Sequence, residues 1–333
     1  MPTKLAFTAA MASAAMALFA GCSGGAPTPS SGLPSAGPQQ THPRLLPNAL
    51  LASGIDPRFV GPTAVLPQQL PPKRAKVERR LFVSNLGNAV IVLNNKAYKQ
   101  VGEITTGVND SDGVWADHLG NVYVANILGK NVTEYTRGSG SPTCTYSSKL
   151  HDPINVTTDD AGDVYVADFN FQRKPGYIYK YAQCSNTVAT RYTIDKGPEG
   201  VAVDKSGNLF VSYYNGGIGG FEEFIAGSIV PIVLQAVVGS PGGIVLDNNQ
   251  NIIADDQTGE IDIIAPPYRS AVPLVTGLNL PFHDALNKTE TLLFSANYGS
   301  ATVTVYSYPS GTLVTTLGSS NGISVAEGVA DSQ

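Results

Sequence analysis

An all-β fold built from six copies of one unit is what this sequence predicts, and three observations carry it. The stretch 197–212, GPEGVAVDKSGNLFVS, sets an apolar strand, a turn of the form Asp-x-x-Gly-Asn and a second apolar strand in a row, and approximate copies follow one another from residue 81 onward. The second strand of each copy begins at Leu81, Val122, Val164, Leu209, Ile252 and Leu293, in steps of 41, 42, 45, 43 and 41 residues; a period of about 40 to 45 residues is a propeller or solenoid signature. Composition agrees, since 35 Gly, 23 Pro and 15 Tyr in 333 residues, 42% of them apolar and 14% charged, suit short strands and tight turns around a packed core.

Taken in order, the chain opens with a short positive start, Met1 to Lys4, and residues 5–21 carry no charge. That layout is a secretory signal, shorter than the ~20 apolar residues of a spanning helix. The run Leu18-Phe19-Ala20-Gly21-Cys22 resembles the lipobox of bacterial lipoproteins, with Phe19 where Leu is usual. The resemblance implies cleavage after residue 21 and lipid on Cys22; the alternative is an ordinary signal peptide cut nearby. Ser23 follows, with no Asp there, which in a Gram-negative lipoprotein implies the outer membrane.

Residues 22–78 are rich in Pro, Ser, Gly and Gln without sustained period, so a tether is expected, with at most a helical turn around 45–51. The basic cluster at 73–80 is expected to be a solvated junction rather than a lipid or acidic-partner contact. With a net charge of −5 the chain has no basic footprint for nucleic acid. A monomer is expected, held at the cell envelope by its lipid.

From residue 79 to 333 each unit holds four strands: an inner one rich in small residues, the anchor strand that sets the period, a third with clear alternation and a weaker outer one. Both faces of the anchor strands are apolar, as for strands covered on each side, and four strands per unit is a propeller blade. The first anchor strand has no inner strand before it, and the last inner strand, at 328–331, has no anchor after it. The C-terminal strand is therefore predicted to complete the first blade and close a six-bladed β-propeller, removing open edges. Asp117, Asp159 and Asp204 should serve the turns between inner and anchor strands, where glycine takes a positive φ; Gln250 and Glu290 stand at that glycine position in the last two repeats.

With these residues in view, the repeat resembles the NHL repeat and the six-bladed propellers of the SMP-30/gluconolactonase type, over about 79–333. The resemblance implies the fold, and function has to be argued from a site. In the gluconolactonase type, a Glu in Glu-Gly, an Asn and an Asp at inner-strand starts hold a divalent metal that polarises a lactone carbonyl; the matching positions here are Glu327, Asn155 and Glu199, the last with Glu for Asp. The aromatic residue after Glu-Gly and the substrate-orienting Arg of that family have no recognisable counterpart.

The residues preceding the inner strands should point to one channel mouth, and Asp112, Asn155, Glu199, His283 and Glu327 form the candidate site there. Three carboxylates, an amide and an imidazole suit Ca²⁺, Mg²⁺ or, through His283, Zn²⁺, or else a polar ligand; the bland alternative is a solvated wide opening. Cys144 and Cys184, left over once Cys22 is acylated, are either a disulfide or two free thiols. Tyr213, Tyr214, Tyr298 and Phe169 could anchor a partner protein or pad the blades. No Gly-x-Ser-x-Gly, Walker loop, His-Glu-x-x-His or Cys-x-x-Cys is present. The function expected is a ligand- or protein-binding scaffold; the alternative is a divalent-metal-dependent lactonase-like hydrolase.

Overall fold

In the computed structural model the described residues are 79–85, 87–170 and 175–332. All of them fall in the unit Leu70–Gln333. The signal peptide with Cys22, the tether and its helical turn lie outside the described residues.

Blade 1 holds β1 (Arg80–Asn85), β2 (Ala89–Asn94) and β3 (Gln100–Ile104); blade 2 holds β4 (Ser111–Ala116), β5 (Val122–Asn126), β6 (Asn131–Tyr135) and β7 (Cys144–Tyr146). Blade 3 follows with β8 (Pro153–Thr158), β9 (Val164–Asp168), β10 (Gly176–Tyr181) and β11 (Val188–Ile194), and blade 4 with β12 (Gly197–Val203), β13 (Leu209–Tyr214), β14 (Gly219–Phe224) and β15 (Ile232–Val238). Blade 5 is β16 (Pro241–Leu246), β17 (Ile252–Asp256), β18 (Glu260–Ile264) and β19 (Val272–Thr276); blade 6 is β20 (Pro281–Leu286), β21 (Leu292–Asn297), β22 (Thr302–Ser307) and β23 (Thr312–Leu317). The last strand, β24 (Ala326–Asp331), lies beside β1, giving the order β24-β1-β2-β3 and six four-stranded sheets in all. Each is antiparallel throughout, and the ring closes as the repeat predicts. Val83 pairs with Val329 and Leu81 with Asp331, while Ser332 N–H donates to Arg80 O at 2.9 Å.

Neighbouring side chains of an anchor strand go to opposite faces, so each blade feeds two cores, one at each seam. Phe82, Val90 and Val92 of blade 1 meet Val114, Val124 and Tyr135 of blade 2, while Leu81 and Val83 join Phe294, Val303 and Val329 on the other face. The same division recurs around the ring and explains why the anchor strands read as apolar on both faces. Burying one such side chain stabilises by roughly 1.5–3 kcal/mol, so the blades hold one another rather than standing alone.

The turns behave as their sequences require. Asp204 Oδ1 accepts from the N–H groups of Ser206 and Asn208, both at 2.8 Å. Asp117, Asp159 and Asp247 make the same pair of bonds. Gly120, Gly162 and Gly207 lie at φ 84°, and at the equivalent position Gln250 (φ 65°) and Glu290 (φ 50°) take the left-handed backbone without being glycine.

The disulfide alternative is the one seen: Cys144, on the outer strand of blade 2, is bonded to Cys184, just after β10 of blade 3, with Cα atoms 5.3 Å apart. Of the aromatic anchors, Tyr213 is buried, with Lys196 Nζ 3.7 Å from its ring centroid, so it pads a seam and presents no surface. Tyr214, Tyr298 and Phe169 are half-buried.

Candidate functional site

The candidate residues sit where they do because every inner strand begins with a bulge. Pairing of β4 with β5 jumps from Ser111↔Asn126 to Val114↔Val124, that of β12 with β13 from Pro198↔Tyr213 to Gly200↔Ser212, and that of β24 with β1 from Ala326↔Asn85 to Gly328↔Ser84. Blades 3, 5 and 6 show equivalent jumps, at Pro153/Asn155, Pro241/Ile244 and Pro281/Asp284. A bulge puts one unpaired extra residue into the strand and re-aims its side chain. Asp112, Glu199, His283 and Glu327 lie within these jumps, and Asn155 directly follows one.

Glycines let adjacent inner strands close on one another at this level. A Cβ on Gly328 would stand 2.6 Å from Asp112 O, one on Gly113 2.6 Å from Ile154 O, and one on Gly200 2.7 Å from Ile244 N, all backbone atoms that cannot yield. The loops before the inner strands are held by the final residue of an anchor strand, a role not legible in the motif itself. Asn85 Oδ1 accepts from Ser324 N and Val325 N, Asp168 Oδ1 from His151 N and Asp152 N, and the Asp256 carboxylate from Gly239 N and Ser240 N.

The five candidate residues come together around Asp112. Its Oδ1 lies 2.9 Å from His283 Nε2, and Asn155 Nδ2 is 2.8 Å from His283 Nδ1. With the amide donating to Nδ1, the imidazole is the Nε2–H tautomer and donates to Asp112. Blades 2, 3 and 6 are thereby linked across the channel by one imidazole. Glu199 is closely surrounded by protein while keeping a partly accessible surface; burial, then Asp112, pushes its carboxyl well above the usual range. Burial, followed by Asp112 and Asp110, pushes Glu327 up to about 9. Glu327 therefore holds a proton at neutral pH and can donate as well as accept.

This is not a solvated wide opening: Asp112 and His283 are 4% and 5% exposed, Asn155 and Glu327 8% each. Both ring nitrogens of His283 are engaged, and no three of Asp112, Glu199, His283 and Glu327 bring ligand atoms within 4.8 Å of one another. Among the described residues only Glu134, Cys144 and Cys184 meet that spacing, and there the two sulfurs are bonded to each other.

Lining up the six repeats shows three residues that motif reading passed over. The position held by Val329, Val114, Val156, Val201 and Ile244 on the other inner strands is Asp284 in blade 6. Its partner on the anchor strand, Val83, Val124, Val166, Val211 or Ala254 elsewhere, is Ser295. The next anchor residue, Ser84, Ala125, Ala167, Ser212 and Ala296 in five blades, is Asp255 in blade 5. Comparing each repeat with the others, rather than looking for motifs, is the signal that finds them.

A cavity of about 470 Å³ opens at the other end of the inner strands. It is lined by Trp115, Thr158 and Asp331 together with the turn carboxylates Asp117, Asp204 and Asp247. Those turn carboxylates are committed to backbone N–H groups.

Known proteins show the same frame. The family described as "Strictosidine synthase-like, N-terminal" matches residues 189–221. No curated protein matches the chain. Among solved structures, a chain of a nidogen/laminin complex aligns with a TM-score of 0.63 at 16% identity, over 77% of this chain and 98% of that one. A functionally unknown protein from Desulfotomaculum acetoxidans (TM-score 0.57, 15% identity) and a protein of unknown function from Bacteroides caccae (0.61, 14%) each align over 77% of this chain and 99% of their own. At these identities the likeness is one of fold.

Proposed function

We propose that this chain is an exported, lipid-anchored propeller that works as a ligand- or protein-binding scaffold, with the buried mouth around Asp112 as its binding site. The observation that carries this reading is the Asn155–His283–Asp112 chain. It fixes three blades to one imidazole and uses both ring nitrogens, which suits a rigid recognition site better than a general base that must exchange protons. Glu199, partly accessible, and Glu327, buried, flank it as carboxyl groups able to donate to, and accept from, a polar ligand. That a chain of similar fold occurs in a nidogen/laminin complex supports a protein as one class of partner.

Mouth variants test the ligand. Glu199→Gln, Glu327→Gln and Asp112→Asn should each abolish a thermal shift given by polar small molecules or by a captured partner while leaving the fold intact. A ligand that binds all three variants as well as the parent would remove the site from the mouth. For the anchor, Cys22→Ala should abolish incorporation of labelled palmitate, since stable attachment takes two or more chains; undiminished label would end that part of the reading.

The second reading, a divalent-metal-dependent lactonase-like hydrolase, draws on one observation: carboxyl groups from blades 1, 2 and 4 and an amide from blade 3 converge at this mouth. It requires Ca²⁺, Mg²⁺ or Zn²⁺ to displace the proton of Glu327. Lactone or ester hydrolysis that appears on adding one of these ions and disappears in Glu327→Gln would establish it over the scaffold.

A further inference from the structure

The three departures from the repeat meet at one point. Asp255, Asp284 and Ser295 are 0%, 6% and 0% exposed, at the seam between blades 5 and 6. Ser295 Oγ donates to Asp255 Oδ1 at 3.4 Å, and the Asp255 and Asp284 carboxyl groups lie within hydrogen-bonding reach of each other; with both charged, Asp255 Oδ2 and the two Asp284 oxygens have no donor and no contact with solvent. Burial pushes both carboxyl groups above the usual range, and Asp284 pushes Asp255 further.

Two carboxylates side by side in a dry seam are strongly unfavourable unless something neutralises them. The uncharged residues of the other five blades, Val, Ile, Ala or Ser, avoid that penalty at the same positions, so the backbone does not require acids here. The nearest charged or titratable neighbours are Asp256 and His283; His283 favours the charged form of Asp284, but its ring nitrogens are already engaged elsewhere. Asp256 is a further acid, committed to Gly239 and Ser240, and His283 is held by Asp112 and Asn155.

We propose that Asp255 and Asp284, with the Ser295 hydroxyl, form a buried site for one hard divalent cation, Ca²⁺ ahead of Mg²⁺, joining blades 5 and 6. Every offered ligand is oxygen, and two carboxylates balance a dication. Ca²⁺ accepts irregular coordination completed by backbone carbonyls, whereas Mg²⁺ demands an octahedron and keeps its waters. The site is separate from the mouth: it involves none of Asp112, Glu199 or Glu327.

Elemental analysis of the purified full chain, then calorimetry and melting curves with Ca²⁺, Mg²⁺ and EDTA, test it. One ion per chain is expected, with Ca²⁺ raising the melting temperature in proportion to occupancy. Asp255→Ser/Asp284→Val/Ser295→Val, which installs residues the other blades use, should fold and lose the ion. Glu199→Gln/Glu327→Gln should keep it. Where the triple variant does not fold, Asp284→Asn should weaken Ca²⁺ at least tenfold, and unchanged affinity would overturn the site. No ion and no binding heat at millimolar Ca²⁺ would overturn it too, as would an ion lost in the mouth variant and kept at the seam. A melting temperature indifferent to Ca²⁺ and EDTA that falls from pH 5 to pH 8 would assign the pair a shared proton instead.

Discussion

His283 Nε2 stands 2.9 Å from Asp112 Oδ1 although 171 positions separate them, and the two residues come from inner strands of blades 6 and 2. The contact crosses the channel, so replacing His283 by Ala leaves two buried polar groups, Asp112 and Asn155, without their partner. We expect a loss of roughly 1–3 kcal/mol, the cost of stranding such groups. His283→Gln, which can still donate to Asp112, should recover part of it; denaturant unfolding of both variants measures the difference.

Deleting residues 324–333 removes β24, exposes the whole edge of β1 and strips Val329 and Ala326 from the seam between blades 6 and 1. A cooperative fall in melting temperature of the entire propeller is expected, not fraying of one blade. Gly328→Val is the point-mutation version, since its side chain would run into Asp112 O. An unchanged melting curve for either variant would mean that closure contributes nothing.

At Gln250 a residue with a side chain occupies the glycine conformation of its turn, φ 65°. The left-handed region costs such a residue ~1–2 kcal/mol, partly offset by the greater chain entropy that glycine loses on folding. Gln250→Gly should therefore stabilise by about 0.5–1 kcal/mol. Glu290→Gly should gain nothing, because Glu290 Oε1 accepts a bond from Asn248 N at 2.9 Å that glycine cannot replace. Paired melting curves decide between the two positions.

Asp262, buried on β18, is pushed up to about 6 by burial first and then by Asp256 and Glu260. Its folded value is raised above the unfolded one. The stability it permits is thus fully present below about pH 4 and is lost as pH rises through 6, because the unfolded chain gives up the proton first. Asp262→Asn should match the parent near pH 4 and exceed it by about 3 kcal/mol at pH 8. Equal stability at both pH values would show that the carboxyl is not penalised.

The frame of this protein was legible in one dimension because a propeller is written locally. A 41- to 45-residue period, apolar anchor strands and Asp-x-x-Gly-Asn turns each act within one blade, and the mismatch between first and last repeats discloses ring closure. The mouth residues could be named for the same reason, since each stands near the start of its own inner strand, although the structure places them inside those strands, at the bulges, and not ahead of them.

What those residues do together was decided only in three dimensions. Whether Asp112 faces His283 or water depends on bulges that re-aim side chains and on glycines that let backbones touch, and neither shows in a motif. The burial of the mouth, the use of both His283 nitrogens and the meeting of Asp255 with Asp284 arise from contacts across the ring. Local sequence sets which way a strand's faces point; the closed ring alone sets which faces meet, and a carboxyl group's charge state follows from what it meets.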